Sequence, residues 1–303
     1  MLQNTAIFLA GLIAAGVATT GAKVETSDPG TYKQSIETVR HERVERLKNP
    51  NGWLSLIGLV PLKEGKNTVG SAKDNDAVLS KGPGHLGAIT LEKGKTTIAI
   101  DAKSGAKIDG SDQLAGEILD DTHETPGKIV FGTVNFVVID RSGKKFLRVK
   151  DSEAETRAHF LGIDYFDTDP AWRIEAKWVP FDPPHEMEVP TIIGTVEKYP
   201  VPGKAVFERD GKTFELLPVI EVPGDKELFL IFADRTSGKE TYGAARFLYA
   251  PMPKDGKIEL DFNKAYNPPC AFTPYATCPL APNENRLDTR VTAGDKKYRG
   301  AHH

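Results

Sequence analysis

From residue 53 to residue 149 turn signals recur at close intervals, and no helical periodicity intervenes. They are Lys63-Glu64-Gly65, Lys81-Gly82-Pro83-Gly84, Glu92-Lys93-Gly94, Asp109-Gly110, Pro126-Gly127 and Arg141-Ser142-Gly143. Between them lie β-type runs such as 96–100 and 134–139. Strands at this spacing predict a sandwich or barrel. After residue 150 the pattern resumes. Asp210-Gly211 sits between two strand-like runs and predicts a type I′ hairpin, because both central residues of that turn need positive φ. Runs 227–232, 243–249 and 258–262 are further strands.

The expected fold is therefore mainly β, with an N-terminal helix and two packed β-rich halves. The first half is sandwich-like and the second barrel- or sandwich-like. The divisions fall at 1–22, 23–50, 51–150 and 151–303. Residues 31–48 read as a helix with Ile36, Val39, Val44 and Leu47 on one side, and Asn49-Pro50-Asn51-Gly52 stops it. Its mixed charges read as a solvated face. Ser152-Glu153-Ala154-Glu155 has the capping-box pattern for a short helix running to about Phe160.

Residues 6–18 form an uncharged apolar run, followed by Thr20-Gly21-Ala22. This is the layout of a secretory leader cleaved near Ala22, which predicts a secreted or periplasmic protein. The remaining chain holds no second apolar run of spanning length, so no membrane association is expected after leader removal. Net charge is −3, from 39 basic and 42 acidic residues that are mixed throughout. Without a basic stripe, nucleic acid is not an expected partner. No phosphate-binding or dinucleotide-binding glycine motif occurs, and no cofactor is expected.

Residues 261–287 stand apart. They contain both cysteines, five prolines, and Asn263, Asn267, Asn283 and Asn285. Proline removes backbone donors and restricts its neighbour, so the path must be extended and turning. The aromatics Phe262, Tyr266, Phe272 and Tyr275 argue for an ordered, packed loop. Cys270 and Cys278 alone cannot make a structural zinc site, which needs four ligands, and no metal is expected. In an exported protein the pair suits a disulfide worth roughly 2–3 kcal/mol in the chain-entropy view. Free thiols are the alternative.

The segments DRTSGKETYG (234–243), Arg246-Phe247-Leu248, DFNKAYNPPCA (261–271), Cys278-Pro279-Leu280 and Asn283-Glu284-Asn285 resemble a bacterial family catalogued as domain of unknown function number 1684. Trp53-Leu54-Ser55-Leu56-Ile57-Gly58-Leu59 and Phe146-Leu147-Arg148-Val149-Lys150-Asp151 resemble its earlier segments. The resemblance implies that these segments belong to one folded unit, and it implies no activity. In the order of its turns the first half also resembles forkhead-associated-like sandwiches. The Arg and Ser-x-x-His of a phosphothreonine site do not occur together, so no phosphopeptide reading follows.

Two functions stay open. One is a binding module holding a polar small molecule or peptide between the 234–242 loop and the Asn-rich segment. The other is a hydrolase using acidic and amide side chains, with Arg246 as an anion anchor. The candidate residues are Arg246, Asp261, Asn263, Tyr266, Asn267, Asn285, Asp234 and Tyr242. Asp255-Gly256 predicts a hairpin that would place Arg246 on one face with Asp261 and Asn263. Phe247, Tyr249, Ile258, Leu260 and Phe262 would then share the other. A third reading is that these polar side chains only brace an irregular loop.

Overall fold

The computed structural model describes residues 29–300, so the expected leader lies outside the described residues. Helix α1 (Pro29–Lys48) ends at the expected place, and a 3₁₀ turn (Trp53–Ser55) follows it. Tyr32, Ile36 and Leu47 are buried. Arg40 and Arg43, read from sequence as part of a solvated face, turn inward instead. Arg40 Nη2 donates to Phe166 O at 3.0 Å, and the Arg43 guanidinium lies 4.2 Å from the Tyr266 ring centroid. Among the described residues no helix is long and apolar enough to cross a membrane.

Strands β1 (Leu56–Pro61), β2 (Gly65–Gly70), β3 (Ala77–Val78), β4 (Gly87–Glu92) and β5 (Lys95–Ile100) begin the first half. The half continues with β6 (Lys107–Ile108), β7 (Ala115–Glu117), β8 (Lys128–Phe131), β9 (Val134–Arg141) and β10 (Lys144–Asp151). They form two five-stranded sheets, ordered β3-β2-β4-β5-β7 and β1-β10-β9-β8-β6. Strict alternation dictates the packing. In β5 Thr96, Ile98 and Ile100 point inward, and in β10 Lys145, Leu147 and Val149 do. Val69, Ile89 and Ile98 of one sheet share a core with Phe136, Leu147 and Val149 of the other. The same period of two leaves Arg148 on the outer face of β10, toward the rest of the molecule.

Ser152 does not cap α2 (Glu155–Ala158). Ala154 holds the cap position, and the Ser152 hydroxyl donates to Thr133 O instead. The helix is a single turn, and just before it Asp151 Oδ1 accepts the Glu153 N–H.

The second half contains β11 (Arg173–Pro190), β12 (Val196–Arg209), β13 (Lys212–Leu216), β14 (Glu227–Phe232), β15 (Arg246–Pro251) and β16 (Lys257–Asp261). Asp210 and Gly211 have φ of +50° and +72°, and Arg209 faces Lys212 across them as the hairpin signal requires. The four-stranded sheet β13-β12-β11-β16 lies against the two-stranded β14-β15. Leu228, Leu230, Phe232, Leu248 and Ala250 meet the larger sheet through Phe207, Leu260 and Phe262. Phe229, Ile231 and Phe247 face the opposite way, toward Val189, Cys270 and Cys278.

One register differs from expectation. Lys254 faces Lys257 across Asp255-Gly256, but the ladder stops there. Strand β15 pairs with β14 (Arg246 opposite Phe232), and β16 pairs with β11 (Asp261 opposite Arg173). Pro251 and Pro253 have no N–H with which to continue the hairpin. Leu248 and Ala250 therefore join Ile258, Leu260 and Phe262, while Phe247 and Tyr249 turn away from them. The expected partition is shifted by one residue.

Candidate functional site

Arg246 does not stand beside Asp261. It is 1% exposed, and its Nη2 donates to Asp234 Oδ2 at 2.6 Å and to Val291 O at 2.8 Å. Nη1 donates to Ala293 O at 2.5 Å, and the guanidinium lies 5.2 Å from the Phe232 ring centroid. Asp234 Oδ1 in turn accepts the Thr236 N–H. An arginine so engaged fastens the 291–293 segment to the 234–246 loop and lines neither of the two cavities beside Trp53.

The asparagines act the same way. Asn263 donates to Asp169 O and to the Tyr32 hydroxyl, and its Oδ1 accepts the Asp169 N–H. Asn267 donates to Lys296 O at 2.7 Å. Asn285 both accepts from Leu217 N and donates to Leu217 O, standing in for a strand partner. Side-chain amides make this match because they carry the same donor and acceptor as a peptide group. Tyr242 is half-buried between apolar clusters, and burial pushes its hydroxyl up to about 12.

Asp261 and Tyr266 do reach a cavity. A cleft of about 710 Å³ lies between α1, the Trp53 turn and the β14-β15 ladder. Phe229, Phe247, Tyr249, Tyr266 and Trp53 wall it, and Asp261, Glu259 and Glu221 supply polar edges. Asp261 Oδ1 accepts the Tyr32 hydroxyl at 2.7 Å, which ties α1 to the wall. The Tyr249 hydroxyl donates to Glu221 Oε2. Burial, the neighbouring Tyr266 and this carboxylate all push the Tyr249 hydroxyl far above the ordinary phenol range. Burial also raises Tyr266, to about 12. Arg43 closes the cleft from the helix side, donating to Asn267 O at 2.5 Å, with its Nε 3.6 Å from Asp295.

A smaller cavity of about 390 Å³ adjoins the first and shares Trp53, Glu221, Phe247 and Pro269 with it. Arg141, Arg148, Thr277 and Cys278 also line it. Cys270 and Cys278 are free thiols, 4% and 8% exposed. Each backbone N–H donates to the other's sulfur, at 3.2 and 3.3 Å. The hydrogen bond from Cys278 lowers the Cys270 pKa, while burial and that same bond hold Cys278 well above its ordinary value. Among the described residues no group of three or more His, Cys, Asp or Glu could hold a metal ion.

Trp53, Tyr249, Glu221, Arg43 and Arg148 were not among the site candidates read from sequence. Trp53 and Arg148 fall inside the two early segments that carry the family resemblance, and that was their only local signal.

Residues 158–296 match the family described as "Protein of unknown function (DUF1684)". An uncharacterized protein of Haloarcula marismortui, with a solution NMR structure, is 32% identical over 46% of this chain and 78% of that one, with a TM-score of 0.40. No curated protein matches this chain. The chain belongs to the DUF1684 family of proteins of unknown function.

Proposed function

We propose that the protein is an exported binding module that holds a polar small molecule, or the end of a peptide, in the cleft between α1 and the β14-β15 ladder. One observation carries this reading. Five aromatic rings from three separate parts of the chain converge on a space of about 710 Å³, within the roughly 300–1,000 Å³ typical of ligand sites. The Asn/Pro-rich segment contributes Tyr266 and Pro269 to its wall, while its asparagines hold that wall in place.

Binding is favoured over hydrolysis on two grounds. Arg246, the anion anchor of the hydrolase reading, is spent on Asp234 and two carbonyls. Among the described residues the one carboxylate whose pKa is raised, Asp295, is held behind the wall by Arg43 and the Asn267 N–H and does not line the cleft.

A thermal-shift screen of polar metabolites and short peptides tests the reading. A true ligand at a hundred times its Kd should add about 2.7 kcal/mol. Trp53 is 37% exposed, so Trp53→Ala should leave the protein folded yet weaken that ligand about 10-fold, as loss of an aromatic anchor does. A ligand indifferent to both Trp53→Ala and Tyr249→Phe would bind elsewhere and sink the proposal.

Export and oxidation complete the reading. Cleavage near Ala22 would release a chain whose two facing thiols can close. Each sulfur would give up a proton and an electron to an external disulfide oxidant as the Cys270–Cys278 bond forms. Intact-mass analysis of material from an exporting host should show a start near Lys23 and the loss of two hydrogens, restored by reduction. An intact Met1 would remove the export proposal, and two freely alkylated cysteines in non-reduced exported protein would remove the disulfide.

A further inference from the structure

Arg148 is a buried cation whose surroundings are committed to another group. It projects from the outer face of β10, and its side chain is 11% exposed. The nearest carboxylate, Asp121, is engaged by Arg141 through Nη1–Oδ1 at 3.1 Å and Nη2–Oδ2 at 2.8 Å, and it also accepts the Asp140 N–H. Arg148 Nη1 comes no closer to that carboxylate than 3.8 Å. The Thr277 hydroxyl accepts Arg141 Nε at 3.1 Å, which leaves Arg148 Nη2 at 3.4 Å from it. Arg148 Nε has no hydrogen-bond partner.

A buried guanidinium in this state costs free energy that a well-paired one does not. Burial, with Arg141 beside it, pushes Arg148 down to about 10, and Lys150 on the same face is pushed down to about 8 by burial and by Arg148. Its protein contacts repay little of that cost, being a 3.4 Å hydrogen bond to Thr277, a 3.8 Å approach to Asp121 and the Trp53 ring at 5.2 Å, and the guanidinium lines the smaller cavity. Trp53 is itself shared with the larger cleft.

We infer that Arg148 is the anion subsite of the cleft and takes the carboxylate of a ligand whose apolar or aromatic body lies across Trp53 and Phe247. The inference rests on the cleft being a binding site. Two features select a carboxylate over a phosphate. Within ion-pair distance Arg141 and Arg148 share one carboxylate, Asp121, because Asp140 on the same wall pairs with Lys145, so a singly charged anion completes the pairing. Glu197 and Glu221 also line this cavity and would repel a dianion. A planar carboxylate moreover matches the guanidinium fork through parallel hydrogen bonds.

Phenylacetate, phenylacetamide and phenyl phosphate serve as probes, titrated by calorimetry at low salt. Phenylacetate should bind roughly 10-fold or more tighter than the amide, the usual effect of a charge-assisted hydrogen bond, and tighter than the phosphate. In Arg148→Met that preference should collapse to about twofold or less. The variant's melting temperature should equal or exceed that of the wild type, because an under-paired buried cation has been replaced by an apolar side chain. An amide that binds as well as the acid and also loses affinity in Trp53→Ala would leave the cleft standing and overturn the anion subsite. A lower melting temperature in Arg148→Met with the acid preference intact would make Arg148 a structural residue. Phenyl phosphate as the tightest probe would overturn the carboxylate assignment. Failure of all three probes to bind would take down the subsite, while the wider metabolite screen still judges the cleft.

Discussion

Arg246→Ala should unfold this protein before it can tell anything about ligand binding. The side chain is 1% exposed and makes a buried ion pair with Asp234 plus hydrogen bonds to Val291 and Ala293. Removing one partner of a buried pair leaves the other charge without compensation, at a cost of about 3–5 kcal/mol, which is a large fraction of the total stability of most domains. The carbonyls of Val291 and Ala293 would lose their donor in the same step. Urea denaturation of wild type and variant measures this directly. Adding Asp234→Asn to Arg246→Ala should recover part of the loss, because no charge is then left buried alone, and a double-mutant cycle isolates that coupling. A variant that denatures within about 1 kcal/mol of wild type, inside the range of ordinary surface substitutions, would contradict the structural role.

Lys145→Met should be nearly as damaging, and its cost should depend on pH in a defined direction. Lys145 is 7% exposed and bridges Asp120 and Asp140, the latter at 2.7 Å. Burial alone would raise Asp120, but hydrogen bonds from Lys145 and Thr122 outweigh it and hold the carboxyl well below its ordinary range. For Lys145 burial acts downward, and the two carboxylates outweigh it upward. The Asp120 contribution is therefore complete above its unfolded pKa near 3.8 and is lost as pH falls below that value. The Lys145 contribution is complete below 10.5 and is lost as pH rises through its higher folded value. At neutral pH the substitution leaves two carboxylates facing a buried gap, at about 3–5 kcal/mol. Without Lys145, Asp120 keeps its hydrogen bonds from Thr122 but loses the strongest group holding its carboxyl down, so the variant should lose less stability on acidification than the wild type does. The gap between the two urea midpoints should narrow as pH falls from 7 to well below 3.8, and a deficit that stays constant across that range would refute the ion-pair account.

The segments that name the family are thus mostly scaffold. Asp234, Arg246, Asn263, Asn267 and Asn285 satisfy backbone groups that an irregular, proline-interrupted path cannot satisfy through ladders. These side chains hold the cleft wall in place of the missing secondary structure. Two expected site residues, Asp261 and Tyr266, reach the cleft, and Asp261 does so while also receiving Tyr32 from the helix.

Much of the architecture was legible because its causes are local. Turn residues with positive φ at Asp210-Gly211 and Asp255-Gly256, alternation in β5 and β10, and the stop at Asn49-Pro50 act within a few residues of themselves. They determined a mainly β chain with an N-terminal helix and placed most of its strands. The pairing of β15 with β14 rather than β16 was not local. It depends on which edge is free once Pro251 and Pro253 have interrupted the hairpin, and on a core that accepts Leu248 while turning Phe247 away. The site was less legible still. Arg43 reads as one more charge on a polar helix until Tyr266 and Asn267 come up against it from more than two hundred residues along the chain. Arg148 reads as the polar half of an alternating strand. What makes it a binding group is that Arg141 has already taken Asp121 and Thr277, and burial and charge competition of that kind exist only once the chain has folded.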